Sequence, residues 1–231
     1  MKIPYYFIWS DKYKILADVL KFGIQSYSDT FEDKSEHYPQ YIFDQSMNKA
    51  PGHFLNGCNI KLVRTLELLK TLPENSYFIF SDADIIVFPQ RGFDKLIQEI
   101  INSGTDIMFM KESPDNNTSN IGFSLIKVCD ANIKLFEKSL QLMAEMPTGL
   151  DQYFVNEALK IYTGKHGYFP SETVGTSSTL IYYQNNEPHN FNTIINNIVV
   201  FQTLCNPENG TDSAIVQKLK QYEMFGIIHM A

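Results

Sequence analysis

The chain has 231 residues, of which 44% are hydrophobic and 19% charged, with 17 Phe and 13 Tyr; this excludes an intrinsically disordered chain, and 12 Gly and 10 Pro exclude collagen-like and low-complexity classes. The net charge of −7 comes without any cluster of Lys and Arg, which excludes a nucleic-acid binder that works by neutralising phosphates. A phosphate-bearing ligand must then be met by a few placed cations, backbone N–H groups or a metal.

Three cysteines, Cys58, Cys129 and Cys205, fit no zinc spacing and suit a reducing compartment. The N-terminal stretch lacks the small-residue cleavage site of a signal peptide, and no apolar run reaches the roughly 20 residues that span a bilayer. A cytoplasmic protein without a membrane span is expected, with the sequons at Asn116, Asn117 and Asn209 read as chance.

Ile3–Trp9 is a β-rich apolar run, and Lys12 to about Tyr27 follows at helical spacing. Tyr38–Phe43 reads as a second strand and Asp44–Asn59 as a long loop. Ile60, Val63, Leu66, Leu69 and Leu72 form the stripe of a helix over 60–72, stopped by Pro73. Tyr77–Phe80 and Ile85–Phe88 are short apolar strands. A helix over 93–103, a strand over 106–110, a polar loop over Lys111–Asn120 and a strand over 121–128 come next. Helices over 131–146 and 150–162 are separated by Pro147 and Gly149. Strands are expected near Leu180–Tyr183 and Ile198–Phe201, and a helix near Ser213–Phe225. Strand and helix alternate through the first half, which predicts one α/β domain over 1–231 with a mostly parallel central sheet flanked by helices. In such folds ligands sit at the carboxyl ends of the strands, so polar residues just after strands are the candidates.

Asp82 and Asp84 stand between two apolar runs, Tyr77–Phe80 and Ile85–Phe88. A bare Asp-x-Asp carries little information, but two acids in apolar surroundings are costly unless a cation compensates them. At i and i+2 of an extended segment both carboxylates face one side, where they can offer oxygens to one hard divalent cation. The competing reading is a turn whose aspartates bond backbone N–H groups. A second candidate is Asp151, at the start of a helix where an anion is favoured, with Gln152 and Asn156 sharing a face four residues apart. A third is Asn120-Ile-Gly122, where the glycine would admit a ligand close to the backbone. Trp9-Ser10-Asp11 ends the first strand and can dock a base or ribose. Lys61 and Arg64 can reach a pyrophosphate. His229, with His189 as rival, is a third metal ligand if the two aspartates hold a metal.

Asp82-Ala-Asp84, Asn120-Ile-Gly122 and Asp151-Gln152 with Asn156, in this order, resemble the GT-A fold (Rossmann-like) nucleotide-diphospho-sugar glycosyltransferases. The small size is similar to that of the compact glycosyltransferases of chlorella viruses. The resemblance implies transfer of a sugar from a UDP- or GDP-sugar to a glycan hydroxyl, with Mn²⁺ or Mg²⁺ held by Asp82, Asp84 and His229. It places Asn120 and Gly122 near the donor sugar or diphosphate, and Trp9, Ser10 and Asp11 around the nucleoside. Asp151 and Gln152 would be the catalytic pair, Asn156 would join the donor-binding residues, and the polar loop would close over the donor. Such families often follow the histidine with Gly and then a phosphate-gripping Lys; here Ala231 comes two residues after His229. The alternatives from other classes are a metal-dependent phosphohydrolase with an aspartyl nucleophile and a non-catalytic nucleotide-sugar-binding protein.

Overall fold

The computed structural model describes residues 2–38, 51–146, 150–204 and 211–227. The central sheet has the order β2-β1-β4-β7-β6-β8, from β1 (Ile3–Trp9), β2 (Phe31–Asp33), β4 (Tyr77–Ser81), β6 (Ile107–Lys111), β7 (Ser119–Lys127) and β8 (His166–Tyr168), and β3 (Glu36–His37) also pairs with β1. β1 runs parallel to β2, β3 and β4, and β6 parallel to β8; only β7 runs against its neighbours β4 and β6. The mostly parallel sheet expected from the sequence is therefore present.

A parallel sheet covered by helices is apolar on both faces, and successive side chains divide between the two. Tyr5, Phe7 and Ile79 join one core with Ala17, Leu20 and Ile24 of helix α1 (Lys14–Gln25) and Phe93 and Ile97 of α3 (Phe93–Asn102). Tyr6, Phe78 and Phe80 join the other with residues of α2 (Pro51–Thr71), α4 (Asp130–Glu145) and α5 (Asp151–Leu159). A smaller sheet, β5 (Ile85–Val87), β10 (Val200–Gln202) and β9 (Val174–Thr176), lies beside the first. It forms a third core with α1, α6 (Ser177–Asn186), α7 (Phe191–Asn197) and α8 (Thr211–Met224), through Leu16, Ile86, Leu180, Ile194, Phe201 and Tyr222. Gly23 lets α1 lie against β5, since a Cβ there would stand 2.3 Å from the Val87 carbonyl oxygen.

Several expected elements differ. The expected loop over 44–59 is helical from Pro51 onward, where proline's fixed φ suits a first helical turn; residues 44–50 and 39–43 lie outside the described residues, as do Pro147, Gly149 and Asn209. Leu180–Tyr183, expected as a strand from its β-prone residues, belongs to α6. The local cap overrides that preference: Thr176 accepts from the Thr179 N–H while Thr179 Oγ1 accepts from the Thr176 N–H, a reciprocal capping box. The polar loop after β6 is the tip of an antiparallel β6–β7 hairpin, with the Glu112 N–H donating to the Thr118 carbonyl. No helix among the described residues is long and apolar enough to cross a membrane.

Candidate active site

The ends of β1, β4 and β6 and the start of antiparallel β7 lie at one edge of the sheet. Asp82 follows β4 directly, and Ala83 and Asp84 turn the chain into β5. The segment is a turn rather than the extended run expected, yet the two carboxylates converge. Asp82 Oδ2 lies 2.9 Å and Asp84 Oδ1 3.4 Å from one atom, the amide nitrogen of Gln202. Pairing of β10 with β5 sets Gln202 opposite Ile85, one residue beyond Asp84.

Each carboxylate also meets a lysine. Lys61, from α2, donates to Asp82 Oδ1 at 2.6 Å. Lys218, from α8, donates to Asp84 Oδ2 and to the Thr203 carbonyl. The two pairs differ in setting: the Asp82 side chain is 39% exposed, that of Asp84 only 9%. Two carboxylates and two ammonium groups leave the cluster neutral, so a dication added to it would match the charge of a bound diphosphate. Neither aspartate side chain is held by a backbone N–H among the described residues, which sets aside the turn-capping reading. Beneath the cluster Tyr5 and Tyr222 are raised well above the usual phenol range, chiefly by burial, so both remain neutral.

The Asn120-Ile-Gly122 strand start explains itself locally. β7 bulges opposite the Phe109/Met110 step of β6, and the Asn120 side-chain carbonyl accepts from the Gly122 N–H at 2.7 Å. The Gly122 carbonyl accepts from the Asp82 N–H at 2.8 Å, tying the bulge to the acid turn. The space left by the missing side chain of Gly122 is filled by the amide of Gln202: a Cβ would lie 2.2 Å from its nitrogen.

A second cluster forms two residues back along β7. Glu112, at the end of β6, accepts from the Asn120 amide at 2.8 Å and from the Gln152 amide at 3.1 Å. Asp151 opens α5 and accepts from the Gln152 N–H at 2.9 Å. Asn156 is occupied by the backbone of Ser119, accepting from its N–H at 2.9 Å and donating to its carbonyl at 2.8 Å. The helix is thereby fixed to the start of β7.

At the end of β1 the Trp9 ring lies 4.4 Å from that of His37, with Lys21 over its face at 4.5 Å. Ser10 is 1% exposed and its hydroxyl finds no partner among the described residues, while Asp11 pairs with His37 at 2.8 Å. Arg64, one turn beyond Lys61, is turned to Glu36 and Glu67. His189 is exposed in the turn between α6 and α7, and His229 lies outside the described residues. Among the described residues no group of three His, Cys, Asp or Glu side chains is placed to hold a metal. The donors that are there, two carboxylates converging on a buried amide, are the hard oxygen and amide groups that suit Mg²⁺ or Mn²⁺.

Sequence reasoning did not single out Glu112, Gln202 or Lys218. Glu112 is the polar residue directly after a strand, and in the sequence it falls within the polar stretch Lys111–Asn120. Gln202 likewise follows the apolar run Ile198–Phe201. Lys218 stands four residues before the buried Tyr222, on the apolar side of α8, and a lysine in that place signals a buried partner.

A mostly parallel sheet with one reversed strand, and an acid pair at its carboxyl edge, define an α/β enzyme of the GT-A type. The profile of the nucleotide-diphospho-sugar transferase family matches residues 28–216, and the chain belongs to that family of glycosyltransferases. The structure is similar to a glycosyltransferase involved in glycosylation of the major capsid of PBCV-1, with TM-score 0.60 and 12% identity over 95% of this chain and 100% of that one. It is also similar to the galactosyltransferase LgtC solved with donor and acceptor sugar analogues, with TM-score 0.58 and 12% identity over 99% and 97% of the two chains. Mouse xyloside xylosyltransferase 1 follows at TM-score 0.52 and 10% identity, over 90% and 99%. No curated protein sequence matches the chain.

Proposed function

We propose that one domain, over residues 1–231, transfers a sugar from a UDP- or GDP-sugar to a glycan hydroxyl with the help of Mn²⁺ or Mg²⁺. The observation that carries this is the convergence of Asp82 and Asp84 on one point at the carboxyl edge of the sheet, beside Lys61. Asp82 and Asp84, with His229 as the further candidate, hold the metal. When bound, it supplies positive charge to the diphosphate as the bond to the sugar breaks. Lys61 swings from Asp82 toward the diphosphate. Trp9, Ser10 and Asp11 receive the nucleoside, with the Ser10 hydroxyl, unpartnered among the described residues, available to it. Asn120 and Gly122 fix the floor of the donor site through their bonds to Glu112 and Asp82.

The acceptor hydroxyl attacks the anomeric carbon. In an inverting reaction Asp151 takes its proton; in a retaining one Asp151 or Gln152 steadies the oxocarbenium-like sugar. Glu112 orients the Gln152 amide for either role. Three cysteines in the chain, with Cys129 a free thiol, suit a cytoplasmic setting.

The test is release of nucleoside diphosphate from a panel of UDP- and GDP-sugars, with and without Mn²⁺, and NMR of the product's anomeric centre. Metal-dependent release from one donor is expected. Turnover unaffected by chelation would remove the metal from the mechanism, and no turnover of any donor would remove the activity.

A further inference from the structure

The acid pair is closed from below by Gln202, which is 4% exposed. Its amide nitrogen serves both carboxylates, at 2.9 and 3.4 Å, while its buried carbonyl oxygen has no partner among the described residues. A buried acceptor without a donor is unfavourable, so its persistence asks for an explanation. The side chain has been given room as well: a Cβ on Gly122 would stand 2.2 Å from Nε2, 2.4 Å from Oε1 and 2.5 Å from Cδ.

The amide's orientation follows from its neighbours. Two bare carboxylates demand a donor, so nitrogen faces them. A dication between the carboxylates reverses that demand, because it takes oxygen and repels N–H. Mg²⁺ binds six oxygens at about 2.0–2.1 Å, which sets neighbouring ligand oxygens about 3 Å apart. The position now held by Nε2 already stands 2.9 and 3.4 Å from one oxygen of each aspartate. Turning the terminal amide over would put Oε1 there, at ligand spacing from one oxygen of each aspartate.

We infer that Gln202 is a protein ligand to the metal, through Oε1 after its amide turns over, and that the same side chain bridges the aspartates when no metal is bound. This rests on the metal-assisted reading above. It also gives the apolar run Ile198–Phe201 a functional end point, since β10 exists at this edge to deliver one residue beside Asp84.

The experiment is binding of Mn²⁺ alone, without nucleotide, followed by loss of the free-ion EPR signal and by calorimetry. It compares the wild type with Gln202→Leu, Gln202→Glu and Asp82→Asn, each checked for folding by its metal-free melting temperature. Gln202→Leu is expected to weaken Mn²⁺ binding at least tenfold, whereas Gln202→Glu, which keeps an oxygen and adds charge, binds as tightly as wild type or more so. Wild-type affinity in Gln202→Leu, with affinity lost in Asp82→Asn, overturns the role of Gln202 and leaves the metal site standing. Should Gln202→Leu fail to fold, Gln202→Glu decides: tenfold weaker binding there overturns the proposal. If the wild type itself takes up no Mn²⁺, the metal-assisted reading falls and this inference with it.

Discussion

The two polar clusters at the edge of the sheet are two residues apart along β7, and they are built differently. Around Gly122 the groups are charged: Asp82, Asp84, Lys61 and Lys218, with one amide between the acids. Around Asn120 they are mostly amides gathered by a single carboxylate, Glu112. The first arrangement balances charge. The second fixes hydrogen-bond directions. The proposed donor, with a diphosphate at one end and a sugar at the other, would use both.

The contrast is broken most forcefully at Asp84. Asp84→Asn leaves Lys218 charged and buried without its partner, and loss of one member of a buried pair typically costs about 3–5 kcal/mol. A large fall in melting temperature is expected. Asp82→Asn touches a more exposed pair, worth about 0–1 kcal/mol, so stability changes little while Mn²⁺-dependent nucleotide affinity is lost. Equal destabilisation by the two substitutions would erase the distinction drawn between the halves of the motif.

At the second cluster, Asp151→Asn should lower transfer by about 10²-fold or more if Asp151 is the base, with nucleotide affinity preserved. Steady-state kinetics beside nucleotide titration would check this, and normal transfer would eliminate the role. Both amides donate to the same Glu112 oxygen, so Glu112→Gln can keep the two contacts through its amide oxygen but loses the charge that strengthens them. The expected result is a kcat reduced about 10-fold, within the range that small misplacements produce, with Mn²⁺ affinity unchanged. A change in metal affinity instead would show that the clusters act as one. Asn156→Ala, which removes two bonds to the Ser119 backbone, should destabilise the fold by about 1–3 kcal/mol in urea titration, less than Asp84→Asn.

Much of this edge was legible because local rules govern it. Tyr77–Phe80 is apolar on both faces and is followed shortly by an acid, which reads as a buried strand ending at a polar edge. Asp151 at a helix start and Gln152 beside it followed from helix geometry. Other parts were misread where context outranked composition: Leu180–Tyr183 looks like a strand, but the Thr176–Thr179 cap makes it helix. Gly122 suggested room for a ligand, and the room holds Gln202, a residue 80 positions along the chain. Arg64 has the charge for a pyrophosphate, and it spends that charge on Glu36 and Glu67.

The sequence by itself determined the layered α/β plan, the acid pair between two apolar runs and each separate motif of the family resemblance, because each element or motif is carried by neighbours within about a dozen residues. Only the tertiary structure decided what those acids touch. Lys61, Gln202 and Lys218 come from three separate elements and meet Asp82 and Asp84 through strand pairing and helix packing. Such contacts leave no periodic trace in the chain, since a single buried polar side chain has no repeat to announce it.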